Sequence, residues 1–468
     1  MKKIFIYILG SVIIFMSCKN EKEKTVEKQD QKPMNILFIA IDDLRPELGC
    51  YDARQVKSPS IDKLAKEAIV FDRAYCNIPV CGASRASLLT GILPTKTRFI
   101  DFRAKAEEDV PNAKTLPGIF KDAGYTSISN GKIFHYNKDA QEASWSRSPW
   151  MPDGGHRVSH DPTTTEVLTK SGNGRVYEAP EVDNSAYPDH KIAQKTINDL
   201  RELKASGEPF FMACGFFRPH MPFYAPKKYW DLYDRDSIEI ADNRHLPENA
   251  PELLRGSGEF KSYSFGSYKP NTEEFHKMMR HGYYACVSYV DELVGEVISE
   301  LESLDLAENT IVVIWGDHGW HLGEHEFWGK HNTLHNALQV PLIIKVPRKV
   351  KGQHSKALVE TVDLYATLCD LANLETPDYI MGKSFKSVLD NPKQSFRENI
   401  YARFKKADAI VTEDFTYSLY ENGDEMLYNR KLDPDENKNV AADDTYKDKL
   451  EDMRKALKIR QEQARSYR

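Results

Sequence analysis

Asn35-Ile36-Leu37-Phe38-Ile39-Ala40-Ile41-Asp42-Asp43 is an uncharged, largely apolar run that stops abruptly at two adjacent carboxylates. It lacks the apolar/polar alternation of a strand with one wet face. A continuous run of this kind suits a strand covered on both faces, as in a parallel sheet. The form recurs downstream. Tyr125 to Ser129 follows the Ala123-Gly124 break and runs into Gly131-Lys132-Ile133-Phe134-His135; Pro209 to Phe216 ends in Arg218-Pro219-His220; Thr310 to Trp315 stops at Gly316-Asp317-His318-Gly319; Pro341 to Val346 is a fifth. Between them the apolar spacing turns helical. Pro59 to Val70, behind Ser58 and Ser60, reads as a capped amphipathic helix, and residues 190–205, 275–304 and 362–373 follow the same period. The alternation predicts an α/β fold: a large mixed, mostly parallel sheet sandwiched by helices.

After about residue 376 the alternation ceases. Short runs at Asn399 to Phe404, Ala409 to Val411, Phe415 to Tyr420 and Met426 to Asn429 predict a small antiparallel sheet, closed by a charged helix over 443–466. The expected division is therefore a main α/β domain over 34–375, the one that would carry any active site, and a C-terminal α+β subdomain over 376–468. Residues 136–188 and 232–272, rich in Pro, Gly, Ser and Asp, read as surface excursions of the kind that shape clefts.

The first eighteen residues combine Lys2-Lys3, an apolar stretch from Ile4 to Phe15, and Met16-Ser17-Cys18. This reads as a secretory signal peptide ending in a lipobox, too short to span a membrane as a helix. Cys18 would carry a lipid anchor to the membrane and residues 19–33 would be a flexible tether. The expectation is an exported protein, a periplasmic or cell-surface lipoprotein; simple secretion is the alternative, because the lipobox is imperfect. Of the seven cysteines, setting aside Cys18 and Cys81 leaves five without close spacing, so no disulfide framework is indicated. Sixty-four Lys+Arg against 70 Asp+Glu leave a formal charge of -6 and no basic block, which argues against nucleic acid as a partner. An anionic substrate must then be met by local cations and a metal.

Ligands of open α/β sheets bind beyond the carboxyl ends of the strands. Four such ends here carry reactive side chains: Asp42-Asp43, Lys132 with His135, His220, and Asp317-His318. Each alone has an ordinary reading as a cap, a core histidine or a turn; four in register describe a site. The three aspartates suit Ca²⁺ better than Mg²⁺ in an irregular, all-protein site. His318 is an unusual ligand for a hard cation, so a softer metal stays open on this chemistry. A second feature is Cys81-Gly82-Ala83-Ser84-Arg85-Ala86-Ser87-Leu88-Leu89-Thr90-Gly91. It reads as a tight loop entering a short helix, with Cys81 at the positive end and Arg85 as a further cation, a setting for a tetrahedral oxyanion.

The Cys81 stretch resembles the signature of the sulfatases, formylglycine-dependent members of the alkaline-phosphatase superfamily, and the resemblance runs from about residue 34 to the C-terminus. Asp42 to Tyr51, Gly131-Lys132-x-Phe134-His135, Arg218-Pro219-His220-x-Pro222-Phe223 and Asp317-His318-Gly319-Trp320-x-Leu322-Gly323-Glu324-His325 resemble the iduronate-2-sulfatase branch in particular, which has His where many sulfatases have Asn at the position of His318. Met426 to Asn429 with Asp433 to Glu436 resembles the family's C-terminal hairpin. The resemblance implies a sulfuric ester hydrolase acting on a sulfated oligosaccharide from a uronate-containing polysaccharide, a glycosaminoglycan or an algal polymer such as ulvan. It implies that a maturation enzyme oxidises Cys81 to formylglycine, and that Asp42, Asp43, Asp317, His318 and the modified Cys81 hold Ca²⁺. Arg85, Lys132 and Lys330 would neutralise the sulfate. Asp317 would be the base for the nucleophilic hydroxyl and His135 for the second hydroxyl, while His220, with Lys330, would serve the leaving sugar oxygen. Arg98, Arg103 and Trp320 are candidates for substrate recognition, with core packing an equal reading of Trp320. Ala83 stands where the familiar signature has Pro, which bears on the maturation enzyme required. Two other readings are a formylglycine-dependent phosphodiesterase or phosphonate monoester hydrolase, and a non-catalytic glycan-binding lipoprotein on the same scaffold.

Overall fold

In the computed structural model, which describes residues 32–171 and 173–467, the first strand, β1 (Asn35–Ile41), is buried along its whole length. The expected leader and nearly all of the tether lie outside the described residues. Six more strands complete the main sheet: β2 (Ile69–Phe71), β3 (Thr126–Gly131), β4 (Phe210–Phe216), β5 (Thr310–Gly316), β6 (Leu342–Lys345) and β7 (Gln353–Ser355). Their order is β7-β2-β6-β5-β1-β4-β3. The block β5-β1-β4-β3 is parallel throughout, in continuous register. Four carboxyl ends therefore leave the sheet along one edge. The sheet is mixed because β6 runs antiparallel to both β5 and β2.

Side chains of β1 alternate between two apolar layers, as the pleat requires. Ile36, Phe38 and Ala40 point into one cluster, and Leu37, Ile39 and Ile41 into the other. The second layer is built with α1 (Pro59–Ala65), α3 (Pro188–Ser206) and α4 (Glu273–Ser303). The first contains α2 (Cys81–Thr90) and α5 (Asp363–Leu371). One expectation fails locally: the helix read over Pro59 to Val70 ends at Ala65, and Ile69–Phe71 forms β2. Ile69 continues the helical period of Ile61, Leu64, Ala65 and Ala68, but pairing with β6 and β7 recruits the β-branched Ile69 and Val70 into the sheet.

The C-terminal residues form an antiparallel meander of β8 (Ile400–Phe404), β9 (Ala407–Val411), β10 (Phe415–Tyr420) and β11 (Glu425–Asn429), followed by α6 (Lys447–Arg465). Ala407, Tyr420, Met426 and Tyr428 of this sheet pack with Leu254, Phe327 and Leu334 in a small apolar cluster of their own, while its other face shares the main core. Ile400, Ile410, Tyr417, Leu427 and Leu457 join the same apolar cluster as β1 and α2. A buried ion pair, Arg460 Nη2 to Glu360 Oε1 at 2.5 Å, ties α6 to the chain just before α5. All six described cysteines are free, and Cys50 alone among them is not fully buried. No described helix is long and apolar enough to cross a membrane.

Candidate active site

The edge of the parallel block sets the first half of the site. Beyond β1, the Asp42 N–H donates to the Phe216 carbonyl (3.2 Å), and beyond β3 the Lys132 N–H donates to Gly215 (2.8 Å), so the strand ends are stitched to β4. Asp43 adopts a left-handed backbone, φ 62°, which is uncommon for a residue with a Cβ. Its N–H donates to Asp317 Oδ1 (3.1 Å), bringing the ends of β1 and β5 together.

The second half is the start of α2, where Cys81 is the first helical residue after Val80 in extended conformation. Every residue of the helix is buried. Gly82 is required by close approach, since a Cβ there would lie 2.2 Å from the Phe102 carbonyl oxygen. Arg85 locks the halves together. Its Nε donates to Asp317 Oδ2 (2.9 Å), Nη2 to Asp42 Oδ1 (3.1 Å), and Nη1 to the carbonyls of Lys132 and Ile133. Ser84 Oγ adds a bond to the Asp317 carbonyl (2.5 Å). Arg85 and Asp317 are fully enclosed, so the fork joins three strand ends away from water.

Asp42, Asp43, Cys81 and His318 each offer a ligand atom, all four within 4.8 Å of one another and all buried. His318 Nε2 lies 3.3 Å from Cys81 Sγ and 3.3 Å from Asp43 Oδ1. Asp317 Oδ1 stands beside the group, 3.6 Å from His318 Nε2. Asp43 Oδ2 is buried with no hydrogen-bond partner among the described residues. An orphaned carboxylate oxygen among three other donors fits a metal cation.

Cations ring this cluster. Lys132 Nζ lies 2.5 Å from Asp42 Oδ2, and Lys330 Nζ 2.8 Å from Asp43 Oδ1. Burial would raise the Asp42 carboxyl, but Lys132, His220 and Arg85 together hold it well below the usual carboxylate range. Burial, and then the Asp42 carboxylate, push the Cys81 thiol up against the pull of Lys132 and Lys330, so an unmodified thiolate is disfavoured there. His220 lies 3.9 Å from Asp43 Oδ2 and 3.3 Å from Glu259 Oε1. Burial opposes its charge, yet Asp43 and Glu259 raise it to about 10, so the ring stays protonated. His135 goes the other way: burial, then Lys132, lowers it to about 3 and leaves it a neutral acceptor.

Three residues expected to recognise substrate are placed differently from the rest. Arg98 donates to the carbonyls of Leu93 and Ala464, a structural clasp onto α6 that engages its guanidinium away from the cluster. Arg103 is exposed and paired with Asp101, 5.8 Å over the Phe102 ring; that ring in turn meets His135 edge-on at 6.0 Å. Arg103 thus stands at the rim beside His135. Trp320 is fully buried and places its ring 4.9 Å beneath Lys330 Nζ, so it supports the lysine by a cation–π contact.

Two site residues were not singled out in the sequence, and both come from the excursions. Glu259, on the short 3₁₀ turn Glu259–Ser262, reaches Lys330 Nζ (3.2 Å) as well as His220. His156 packs its ring 5.2 Å from His220, and its Nε2 is buried without a partner. Arg218 pins the His156 loop to the His220 turn by donating to the carbonyls of His156 (2.6 Å) and His220 (3.1 Å). The composition of the excursions signals a cleft wall, but nothing in it marks these two positions.

Comparison with known proteins agrees with this geometry. Residues 34–374 match the sulfatase family model, and residues 323–463 match that of the N-sulphoglucosamine sulphohydrolase C-terminal region. The chain is 32% identical to iduronate 2-sulfatase of Mus musculus, over 85% of this chain and 78% of that protein. It is 30% identical to an ulvan-active sulfatase of Formosa agariphila, over 91% of this chain and 80% of that protein. The solved structure of BT4656 in complex with D-glucosamine-2-N,6-O-disulfate superposes with a TM-score of 0.77 at 23% identity, covering 93% of this chain and 99% of that one, and so shares its fold. A match over nearly three quarters of the chain, with the motif cysteine set among the strand-end residues, makes this protein a member of the sulfatase family, the hydrolases of sulfuric esters.

Proposed function

We propose that this sulfatase cleaves a sulfate ester on a sugar of an oligosaccharide cut from a uronate-containing polysaccharide, through a formylglycine made from Cys81, and that it acts outside the cytoplasm as a lipoprotein. The observation that carries the chemistry is the placement of the Cys81 side chain: at a helix N-terminus, between His318 and Asp43, inside a ring of Arg85, Lys132, Lys330 and His220. The relatives named for iduronate and for ulvan support the substrate class. The export reading rests on residues 1–18.

Asp42, Asp43, His318 and residue 81, with Asp317 beside them, would hold Ca²⁺, which supplies positive charge against the sulfate oxygens. Formylglycine at position 81 would supply a hydrated aldehyde, with one hydroxyl as nucleophile toward sulfur and the second as the means of releasing sulfate. The chain's own side chains do the rest. Lys132 and Lys330 present ammonium groups to the anionic ester, while Arg85 fixes Asp42, the partner of Lys132, together with Asp317. His220, kept protonated by Asp43 and Glu259, carries the proton for the departing sugar oxygen. His135, kept neutral, would accept a proton from the second hydroxyl of the hydrated residue 81, and Asp317 would be the base for the nucleophilic one. Ala83 precedes the first intrahelical bond, Ser84 N–H to the Val80 carbonyl (2.9 Å), so a proline there would cost the helix no hydrogen bond. The departure from the familiar signature therefore concerns the maturation enzyme and not the helix.

The test is sulfate release from defined sulfated oligosaccharides, using protein whose Cys81 conversion is verified by peptide mass. Release from uronate-containing substrates is the expected result. Preference for matched phosphate or phosphonate esters would overturn the sulfatase mechanism, and fatty-acid labelling that bypasses Cys18 would overturn the anchor.

A further inference from the structure

A cavity of about 280 Å³ opens next to the catalytic cluster, between the 253–258 loop, residues 331–333 and the β8–β9 turn of the C-terminal sheet. Gly258 and His331, which line it, are the immediate chain neighbours of Glu259 and Lys330. Its charged lining has one sign: Arg255, Lys405 and Lys406. All three are exposed. Their neighbour Arg403 is paired with Asp408 and Glu421. Among the described residues no ion pair engages Arg255, Lys405 or Lys406, although the chain as a whole is acidic. Unpaired like charges converging on one cavity repel, and an anion between them relieves that repulsion.

The neutral lining also suits a sugar acid. Asn332 is 4% exposed, and its Oδ1 accepts the Leu334 N–H (3.0 Å), which fixes the amide's orientation. Its Nδ2 is then a buried donor without a partner. His331 stacks flat on Phe404, centroids 5.3 Å apart and planes within 1°, and does so with a left-handed backbone, φ 84°. Such a conformation is held against its intrinsic cost and is a mark of functional positions. Phe404, whose ring also carries Lys405 Nζ at 5.3 Å, and Tyr420 complete the lining as buried aromatic walls.

We propose that this cavity is an anion subsite, binding a second carboxylate or sulfate of the substrate chain while the reacting sulfate lies at Cys81. The proposal rests on the oligosaccharide reading above. It gives the C-terminal sheet a part in specificity: Lys405 and Lys406 belong to the β8–β9 turn, whereas the reacting group is met by the main sheet.

Three substrates test it: one reacting sulfate on an otherwise neutral chain, the same chain with a carboxylate on the neighbouring sugar, and the same chain with a second sulfate there. In wild-type protein the charged chains should be favoured. In K405A/K406A the ratio of kcat/KM for charged over neutral chains should fall about tenfold, through KM, and in R255A by a smaller factor in the same direction. A fall confined to the carboxylate chain assigns the subsite to uronate, and one confined to the disulfated chain assigns it to sulfate. Wild-type release of sulfate with ratios unchanged in both variants overturns the subsite alone. No release by wild type from any of the three overturns the proposed substrate class and the subsite with it.

Discussion

Glu259 Oε2 lies 3.2 Å from Lys330 Nζ, so a carboxylate from an irregular excursion is joined to a lysine of the catalytic ring. Its other oxygen meets His220 Nε2 at 3.3 Å. Burial opposes the Glu259 charge, but Lys330 and His220 hold the carboxyl well below its usual range. One side chain thereby positions two cations that face the substrate.

Glu259→Gln keeps the shape and removes the charge. The expected loss in kcat/KM is roughly ten- to a hundredfold, corresponding to about 1.5–3 kcal/mol for a hydrogen bond to a charged partner. The melting temperature should move little, because the side chain remains 28% exposed. Steady-state kinetics on a defined sulfated sugar decide it, and wild-type kcat/KM in the variant would remove Glu259 from the machinery.

Cys81→Ser and Arg85→Ala separate chemistry from architecture. Both should lose turnover. The serine variant should melt within a degree or two of wild type, since it is nearly isosteric at the helix start. Removing Arg85 leaves Asp317 buried without its arginine and Asp42 with Lys132 alone, and breaking a buried pair costs about 3–5 kcal/mol in sites of this kind. Arg85→Lys restores charge without the fork and should recover stability only in part. Equal melting of all three variants would refute the structural part of this reading.

Chelation should lower both activity and melting temperature, with recovery on adding calcium. A ligand that binds the native state alone contributes about 2.7 kcal/mol at a hundredfold excess over its Kd. The orphaned Asp43 Oδ2 is the physical basis for the expectation. Elemental analysis of the purified protein, paired with the melts, identifies the ion; insensitivity of metal-free protein to added calcium would rule that ion out.

Asp291, on α4, accepts the N–H groups of Ser60 (3.0 Å) and Ile61 (2.8 Å) at the start of α1. Burial raises its carboxyl from 3.8 to about 6. Between those values the folded protein keeps a proton that the unfolded chain has released. The favourable contribution is therefore complete below about pH 4 and lost as pH rises through 6, amounting to about 2–3 kcal/mol at neutrality. Asp291→Asn should flatten the melting-temperature profile from pH 4 to 7 relative to wild type. Parallel profiles would show that the two N–H bonds outweigh burial.

Much of this arrangement is legible in local sequence because it is locally encoded. Continuous apolar runs specify strands buried on both faces, and Asp42-Asp43, Lys132, His220 and Asp317-His318 follow them directly, so parallel pairing alone brings the four ends to one edge. The Cys81 helix likewise carries its own start and its own arginine. Where period and pairing competed, pairing won, as at Ile69.

Sequence by itself determined the α/β layering, the small C-terminal sheet, the strand-end constellation and the motif cysteine, since each depends on residues within a few positions of one another. Tertiary structure alone decided that Arg98 clasps α6, that Trp320 lies beneath Lys330, and that Glu259 and His156 close around His220. Those contacts join segments up to 366 positions apart. They follow from how loops fold back over the sheet edge, which local periodicity and charge do not encode.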